Sequence, residues 1–582
     1  MVPTMEAQHA CGLRIANDSG AHRMAAALRR HGVDALFGQS IPSALHLIAP
    51  QFGIRQIGYR TENAGAAMAD AYARISRRVG VVTAQNGPAA TLLVPGLAEA
   101  LKASVPVLAI VQDVHRKQTD KNAFQELDHL ELFKGCAKWI RRVAEVDRID
   151  DYIDMAFTAA TTGRMGPAVL MCPLDLFVDV PSGQVAPRSA ALGTFPLDRT
   201  VADPARIADA ADLLAAAERP LIIAGGGVHL SGAQNALAAL QEQASLPVAT
   251  TAMGKGAVSE EHPLSVGVVG YFMGTRGVTR HLRDLVTGAD VILLIGNRTN
   301  QNGTDSWTLL PQDATIIHLD IDGMEVGRNY EAVRLVGDAK LTVEALTQAL
   351  LARDLTRRHG ARDALARQIA ASRLAWRDEC AAYMSSAARP IRPERLMAEL
   401  DAQLREDDIV VADASYSSIW VANYLHARRP GMRFITPRGL AGLGWGLPFA
   451  LGAKVARPEA RVFCLAGDGG FAHVWSELET ARRMRLDVVV AVLNNQILGY
   501  QKHAEDVIFG GHTDVVDFEP VDHAAIARAC GCQGIRIEDP AEIAAALSEA
   551  FARPGTSVLD VVTDPNAYPP ITSFEGSPDV AF

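Results

Sequence analysis

Gly467-Asp468-Gly469-Gly470-Phe471 and Asn494-Asn495 each stand at the end of a short apolar segment. Residues 462–466 (VFCLA) read as a buried strand bounded by glycine, and 488–493 (VVVAVL) as a second that ends on Asn494. Residues 474–484 between them read as helical, so the unit is strand–helix–strand with polar residues at both strand ends. Open parallel sheets bind ligands at the carboxyl ends of their strands. Asp468 and Asn495 offer hard oxygen ligands, and Gly469 and Gly470 let backbone N–H groups approach a phosphate. These are the parts of a magnesium–diphosphate site, because Mg²⁺ prefers octahedral oxygen and shares its shell with phosphates. Gly-Asp-Gly alone would be an ordinary turn. Asn495 lies 27 residues after Asp468, with buried strands on both sides, and a turn does not account for that.

Outward from this unit the chain divides into three blocks. The first, 12–180, alternates helical stretches (20–31, 64–74, 89–102) with strands (80–84, 105–111, 168–171), as a parallel α/β sheet does. Residues 181–196 read as a linker. The second block, 198–351, alternates again, with strands expected at 220–224, 247–251, 291–295 and 315–319. A polar, mostly helical stretch, 353–388, reads as a surface connection closed by Pro390 and Pro393. The third block, 392–564, holds the opening motif. The tail, 565–582, is rich in Pro, Gly and Ser and reads as a flexible closing arm.

With 582 residues, 49% of them apolar, the chain is expected to be a packed protein of several domains. A net charge of −10 without a basic stripe argues against nucleic acid and anionic membranes as partners. No apolar run is long enough to span a membrane, and residues 1–13 lack the features of a secretory signal. Seven scattered cysteines without a C-x-x-C pair suit reduced thiols in a cytoplasmic protein.

The Gly-Asp-Gly, spacer, Asn-Asn pattern resembles the signature of thiamine-diphosphate enzymes, and the likeness extends over essentially the whole chain. It implies an α/β fold of three doubly wound parallel-sheet domains: pyrimidine-binding, central and diphosphate-binding. Residues 59–74 (YRTENAGAAMADAYAR) look like the pyrimidine-domain motif, a strand ending on a glutamate and then a helix with small residues. The resemblance implies that Glu62 hydrogen-bonds the aminopyrimidine. A buried carboxyl there favours the imino tautomer, whose nitrogen can take the thiazolium C2 proton. Read alone, Glu62 has a lesser alternative as a helix N-terminal carboxylate favoured by the dipole.

Asn86-Gly87-Pro88-Ala89 resembles the family's turn opening a helix and places Pro88 at the cofactor. Phe124-Gln125-Glu126 resembles a segment on the substrate side in acetolactate synthases, which makes Gln125 a catalytic candidate. Residues 439–448 (GLAGLGWGLP) resemble the segment that bends the cofactor, with Leu443 the wedge beneath its rings and the Ala441 carbonyl accepting from the aminopyrimidine. Asp413, Ala414, Ser415, Tyr416 and Ser417 fall near the diphosphate, together with Gly467, Asp468, Gly469 and Gly470. Asn495 and a backbone oxygen of Ile497 join Asp468 on Mg²⁺, and Leu498, Gly499 and Tyr500 continue the cofactor wall. In this family Glu62 and the diphosphate site meet across a subunit interface, which implies a homodimer or homotetramer.

The nearest branch is that of the acetolactate synthase large subunit. Arg164, Gly225, Gly226, Gly227, Thr250, Thr251, Gly296, Asn297, Arg298 and Asp320 fall where that branch holds FAD, a pattern equally consistent with ADP or an empty site. Departures are pointed. The loop 38–43 is Gly38-Gln39-Ser40-Ile41-Pro42-Ser43, Thr61 stands where His is usual, and Leu174 replaces a lysine. Ala504 replaces a tryptophan. Asn302 stands for the arginine that holds the second substrate's carboxylate, and Asn does not replace a bidentate Arg. Gln39, Ser40, Phe124, Asn302 and His503 become pocket candidates. His115 and His129 could approach as well, while His22 and His31 read as part of a solvated helix face.

The resemblance therefore implies a thiamine-diphosphate- and Mg²⁺-dependent lyase or transferase acting on 2-oxo acids or 2-hydroxy ketones, by decarboxylation, carboligation or both. A simple 2-oxo acid decarboxylase or 2-hydroxyacyl lyase is the nearby alternative. A flavin-linked oxidoreductase ranks below it, and intact Glu62, Asp468 and Asn495 oppose a non-catalytic paralogue.

Overall fold

A computed structural model of the chain describes residues 15–183 and 187–574. The N-terminal reading of 1–13, part of the linker and the end of the tail lie outside these residues. The described chain forms three sheets of six strands each, every pairing parallel.

The first sheet comprises β1 (Ala35–Phe37), β2 (Arg55–Ile57), β3 (Gly80–Gln85), β4 (Val107–Asp113), β5 (Trp139–Arg142) and β6 (Ala168–Pro173). The second comprises β7 (Pro220–Ala224), β8 (Val248–Thr250), β9 (Ser265–Val268), β10 (Val291–Ile295), β11 (Thr315–Asp320) and β12 (Ala332–Val336). The third comprises β13 (Ile409–Ala412), β14 (Arg433–Ile435), β15 (Val462–Gly467), β16 (Val489–Asn494), β17 (Gln533–Ile537) and β18 (Ser557–Val562). Central strands such as β4, β10 and β16 are buried almost throughout. Helices cover both faces of a parallel sheet, so its strands read as unbroken apolar runs.

Topology places the sites. The first sheet runs β2-β1-β3-β4-β6-β5 and the third β14-β13-β15-β16-β18-β17, one order repeated. The middle sheet runs β12-β11-β10-β7-β8-β9, the doubly wound order of dinucleotide-binding folds. Chain direction across the sheet reverses between β13 and β15 in the third sheet and between β7 and β10 in the second. Crevices open at such switch points. Asp413 follows β13 and Asp468 follows β15; Gly225 follows β7 and Gly296 follows β10.

Local chemistry sets the key helix Glu62–Ser76. Thr61 caps it, its hydroxyl accepting the Ala64 N–H at 3.3 Å. It ends where Arg77 turns left-handed at φ 58°. Its alanine-rich face packs against the helix Gly446–Ala456 of the third block. The fit is close enough that a Cβ on Gly452 would stand 2.1 Å from the Met68 carbonyl oxygen. Arg74, on the same helix, pairs with Asp70 and Glu99, all buried. Glu99 in turn accepts the Gly439 and Leu440 N–H groups at 2.8 and 2.6 Å. The first block thereby fixes the segment that enters the third block's crevice.

Three expectations need correcting. The stretch 474–484 is a turn followed by the helix Glu477–Met484, and a separate short helix, Asp468–Ala472, precedes it because Asp468 itself starts a helix on leaving β15. The polar stretch after 351 is one helix, Thr356–Met384, but Ile369, Trp376 and Cys380 give it a buried face. His31 is 2% exposed rather than solvated: its Nε2 lies 2.8 Å from Asp154, and its Nδ1 accepts the Leu192 N–H. Cys136, Cys172, Cys380 and Cys464 are buried and free, and Cys530 and Cys532 are half-buried and free.

Candidate active site

A cavity of about 600 Å³ opens at the switch point of the third sheet, within the size range of small-molecule sites. Asp413 to Ser417, Ala441, Leu443, Gly467 to Gly470, Asn495 and Ile497 to Tyr500 all line it, and so does Asn302 from the central block. Sequence positions from four loops are thus brought to one wall system.

Asp468 sits at its floor. One carboxylate oxygen accepts the Gly469 N–H at 2.8 Å and the other the Gln496 N–H at 2.6 Å. Burial pushes this carboxyl up to about 6, and the two amide bonds pull only partly against it. A buried carboxylate without a cation gains most from one bound beside it. Among the described residues no cluster of three or more His, Cys, Asp or Glu side chains could cage a metal. One carboxylate, an amide oxygen and substrate phosphates suit Mg²⁺, which keeps few protein ligands. The Gly469 N–H is already committed to Asp468, and the missing side chains of Gly469 and Gly470 serve close packing, a Cβ on Gly469 standing 2.9 Å from Leu498 and Phe518. A Cβ on Gly470 would stand 2.6 Å from an Asp413 oxygen.

Asp413 works inward. It accepts the Ala414, Gly444 and Trp445 N–H groups at 2.7, 3.1 and 3.3 Å. That grip fixes the loop carrying Ala441 and Leu443, and Ala441 itself is held at φ 61°. Burial pushes the Asp413 carboxyl up to about 6. His503 does not line the cavity. Its Nδ1 lies 2.8 Å from the Tyr416 hydroxyl, and its ring stacks on Tyr568 at 4.0 Å, so it acts on the cavity only through Tyr416. Burial lowers the His503 pKa to about 4, which keeps the imidazole neutral.

The first-block candidates gather at the carboxyl ends of their own sheet and do not line that cavity within one chain. Gln39 donates to the Arg60 carbonyl at 2.6 Å. Asn86 donates to the Phe124 and Gln125 carbonyls at 3.1 and 2.9 Å, and His129 accepts the Gly87 N–H at 2.8 Å, beside Pro88. Gln125 adopts φ 59°, and its side-chain oxygen is buried without a partner. Ser40 adopts φ 112°. Phe124 is exposed. His115 lies 3.7 Å from Asp175, away from this group. Burial raises the Glu62 pKa. The neighbouring Asn63 Oδ1 accepts from Trp445 Nε1 at 3.0 Å, and Glu477 accepts the Thr61 N–H at 3.0 Å.

A second cavity opens at the switch point of the middle sheet. Arg164, Gly225 to Gly227, Thr251, Gly296 to Arg298 and Asp320 line it; Thr250 stands just behind, its hydroxyl buried and unpartnered. The glycines serve packing first: a Cβ on Gly225 would stand 2.2 Å from the Gly296 carbonyl oxygen. Arg164 is bound to Glu325 at 2.9 Å. Burial drops the Arg433 pKa to about 9 at the cavity wall, and burial raises Asp320 to about 6.

Comparison with known proteins decides the family. Residues 18–132 match the thiamine pyrophosphate enzyme N-terminal TPP-binding domain, 207–346 its central domain and 413–561 its C-terminal TPP-binding domain. A probable acetolactate synthase large subunit of Methanococcus aeolicus is 34% identical over 567 residues, covering 94% of this chain and 92% of the relative. The chain belongs to the thiamine pyrophosphate enzyme family. Acetolactate synthase isozyme 2 large subunit of Escherichia coli is 30% identical over 553 residues, with 94% and 96% covered. The acetolactate synthase of Arabidopsis thaliana chloroplasts is 29% identical, with 93% and 81% covered. This is a thiamine-pyrophosphate-dependent, acetolactate-synthase-like protein, and among its described residues no helix is long and apolar enough to cross a membrane.

Within that family frame, sequence reasoning missed Glu99, Glu477 and Arg438, which tie the blocks together or face the cavity. Glu99 and Glu477 sit on helices whose partners lie more than 300 residues away, a distance no local pattern reports. Arg438 could have been found, since it directly precedes the wedge segment 439–448.

Proposed function

We propose that this protein is a thiamine-diphosphate- and Mg²⁺-dependent enzyme that makes or breaks a carbon–carbon bond beside the carbonyl of a 2-oxo acid or 2-hydroxy ketone. The observation that carries this reading is the cavity that Asp468, Asn495 and Leu443 line together. Asp468 and Asn495 would hold Mg²⁺ with a backbone oxygen of Ile497, with the diphosphate in the same cavity. When bound, thiamine diphosphate supplies a nucleophilic carbon and an electron sink. Leu443 would bend the cofactor over itself, with Asp413 holding that loop rigid through Gly444 and Trp445.

Glu62 would hold and return a proton at the pyrimidine ring. Burial raises its pKa, the direction that eases uptake of a proton by the carboxylate. Since Glu62 and Gln125 do not line the cavity of their own chain, a homodimer, alone or paired into a tetramer, would join Glu62 of one copy to the cavity of the other. In the middle cavity, the wall containing Arg433 and Arg298 suits an anionic nucleotide, FAD or ADP. Unpaired cysteines suit a cytoplasmic setting.

Asn302 in the cavity wall carries no charge, which favours the second reading, a simple decarboxylase or 2-hydroxyacyl lyase, over a second 2-oxo acid held at that position. Acid-quenched proton NMR of the loaded protein with pyruvate, then bulkier 2-oxo acids and 2-hydroxy ketones, separates the two. Acetolactate-type products mean carboligation, and aldehydes mean decarboxylation or lysis. Consumption of none, with cofactor bound, contradicts the proposal.

A further inference from the structure

Arg438 stands where the two cavities meet: it lines both, as does Asn302. One terminal nitrogen donates to the Tyr271 hydroxyl at 2.8 Å and the other to the Ser418 hydroxyl. Both partners are neutral. Its Nε–H is buried with no partner, and the Phe272 ring lies 5.4 Å from the guanidinium. Of the five guanidinium donors, three remain to be satisfied.

Several buried arginines of this chain are neutralised, although Arg298 and Arg433 in the middle cavity, like Arg438, have no ion-paired carboxylate among the described residues. Arg74 has Asp70 and Glu99, Arg116 has Asp175, and Arg461 has Asp408. Among the described residues Arg438 has no carboxylate. Holding a half-buried cation whose Nε–H is buried and unpaired is unfavourable, and the wall is stabilised when an anion arrives.

The strand order says which anion. Arg438 follows β14, which is two strands from β15 and three from β16. Neighbouring strands lie about 4.8 Å apart, so the end of β14 is roughly 10 Å from that of β15 and roughly 14 Å from that of β16 across the sheet. Arg438 thus leaves the sheet on the β14 side, where it also borders the middle cavity, while Asp468 and Asn495 leave it from β15 and β16. Tyr271 and Asn302, both from the central block, share this wall, and the Tyr271 N–H binds the Asn302 carbonyl at 2.9 Å.

We propose that Arg438 binds the carboxylate of the substrate, which makes the substrate a 2-oxo acid rather than a neutral ketone. The inference rests on the thiamine-diphosphate reading above and names the substrate class of that same cavity. The Nε–H and one terminal N–H form a planar fork that matches two carboxylate oxygens. Tyr271 and Ser418 hold the guanidinium plane, and Asn302 offers an uncharged donor beside it.

The test uses protein loaded with Mg²⁺ and 3-deazathiamine diphosphate, whose ring cannot be deprotonated, so ligands bind without turnover. Pyruvate, 2-oxobutanoate and phenylglyoxylate are titrated against their methyl esters by tryptophan fluorescence or calorimetry. At least one acid is expected to bind the parent protein more tightly than its ester. Arg438→Gln should weaken that acid by about thirtyfold and leave the ester unchanged. Arg438→Lys should recover part of the loss. Asn302→Asp, which sets a carboxylate beside the guanidinium, should also weaken the acid, and it serves if Arg438→Gln fails to fold. The proposal is overturned if no acid outbinds its ester, if acid binding survives these substitutions, or if Arg438→Gln weakens the cofactor instead. Exchange of the thiamine diphosphate C2 proton in D₂O, measured alongside, separates two failures. Lost exchange in the parent protein counts against the cofactor reading. Intact exchange with unchanged acid binding counts against Arg438 alone.

Discussion

Asn494 Nδ2 donates a hydrogen bond to Asp560 at 2.8 Å, turning the first asparagine of the pair away from the cavity that Asn495 lines. Asn494 also donates to the Val521 carbonyl at 2.9 Å, and Asp560 is fully buried. Adjacent strand residues point to opposite sides, so the pair divides its labour. Asn494→Ala should lower stability by about 2 kcal/mol, because a buried carboxylate loses a donor. Asn495→Ala should leave the melting temperature nearly unchanged and weaken Mg²⁺-dependent cofactor binding by about tenfold. Thermal unfolding and cofactor titration of both variants check this, and equal effects on either readout would refute the division.

Gly452→Ala should be far more damaging than a surface change of the same size. The added carbon would stand 2.1 Å from the Met68 carbonyl oxygen, a backbone atom that cannot swing aside. Separating the two helices should cost about 1–3 kcal/mol, read from denaturant unfolding. A loss below about 0.5 kcal/mol would mean that this contact relaxes freely.

Acid should destabilise the middle block through two buried histidines. His229 lies 2.9 Å from the Lys255 carbonyl through Nε2, and His318 lies 2.8 Å from the Asn297 carbonyl the same way. Burial lowers their pKa values to about 3 and about 4, against the ordinary histidine value of 6.5. The unfolded chain therefore binds protons that the folded chain refuses. Their stabilising effect is complete above pH 6.5 and is lost as pH falls from there toward 4. Melting temperature should begin to fall near pH 6.5 and fall most steeply between about pH 5.5 and about pH 4. His318→Gln should flatten that fall, and an unchanged slope would show that other groups carry it.

Glu62→Gln should slow C2 proton exchange of bound thiamine diphosphate by about 10²–10⁴-fold, the range for loss of a positioned acid–base group. Cofactor affinity should remain close to the parent's, since Gln keeps the size of Glu62 and the Mg²⁺ and diphosphate residues of the cavity are unchanged. Rapid exchange in the variant would remove Glu62 from the mechanism.

The strand ends that build both cavities were legible because buried parallel strands read as apolar runs and glycines mark where they stop. Residues 220–224 and 291–295 coincide with β7 and β10. The residues from Asp413 to Tyr500 that line the third-sheet cavity came from the family resemblance as well as from strand ends. Other features needed the third dimension. That Asn494 points to Asp560 and Asn495 to the cavity depends on strand register. That His503 stands behind Tyr416 depends on Tyr568 reaching it from the tail. The solvated reading of His31 failed because Asp154, more than 120 residues away, draws it inward. Arg438 showed its lack of a carboxylate only once every neighbouring side chain was placed.

The most direct test of the shared site is a hybrid dimer of Glu62→Gln and Asp468→Ala chains, purified by two tags after co-expression. If Glu62 of one copy serves the cavity of the other, one site in each hybrid keeps both residues and the second site has neither. The account predicts one tightly bound thiamine diphosphate per hybrid dimer, its C2 proton exchanging at the parent rate, for about half the parent capacity. If each chain carries its own complete site, every site in the hybrid is damaged. Exchange no faster than in the Glu62→Gln homodimer would contradict the account.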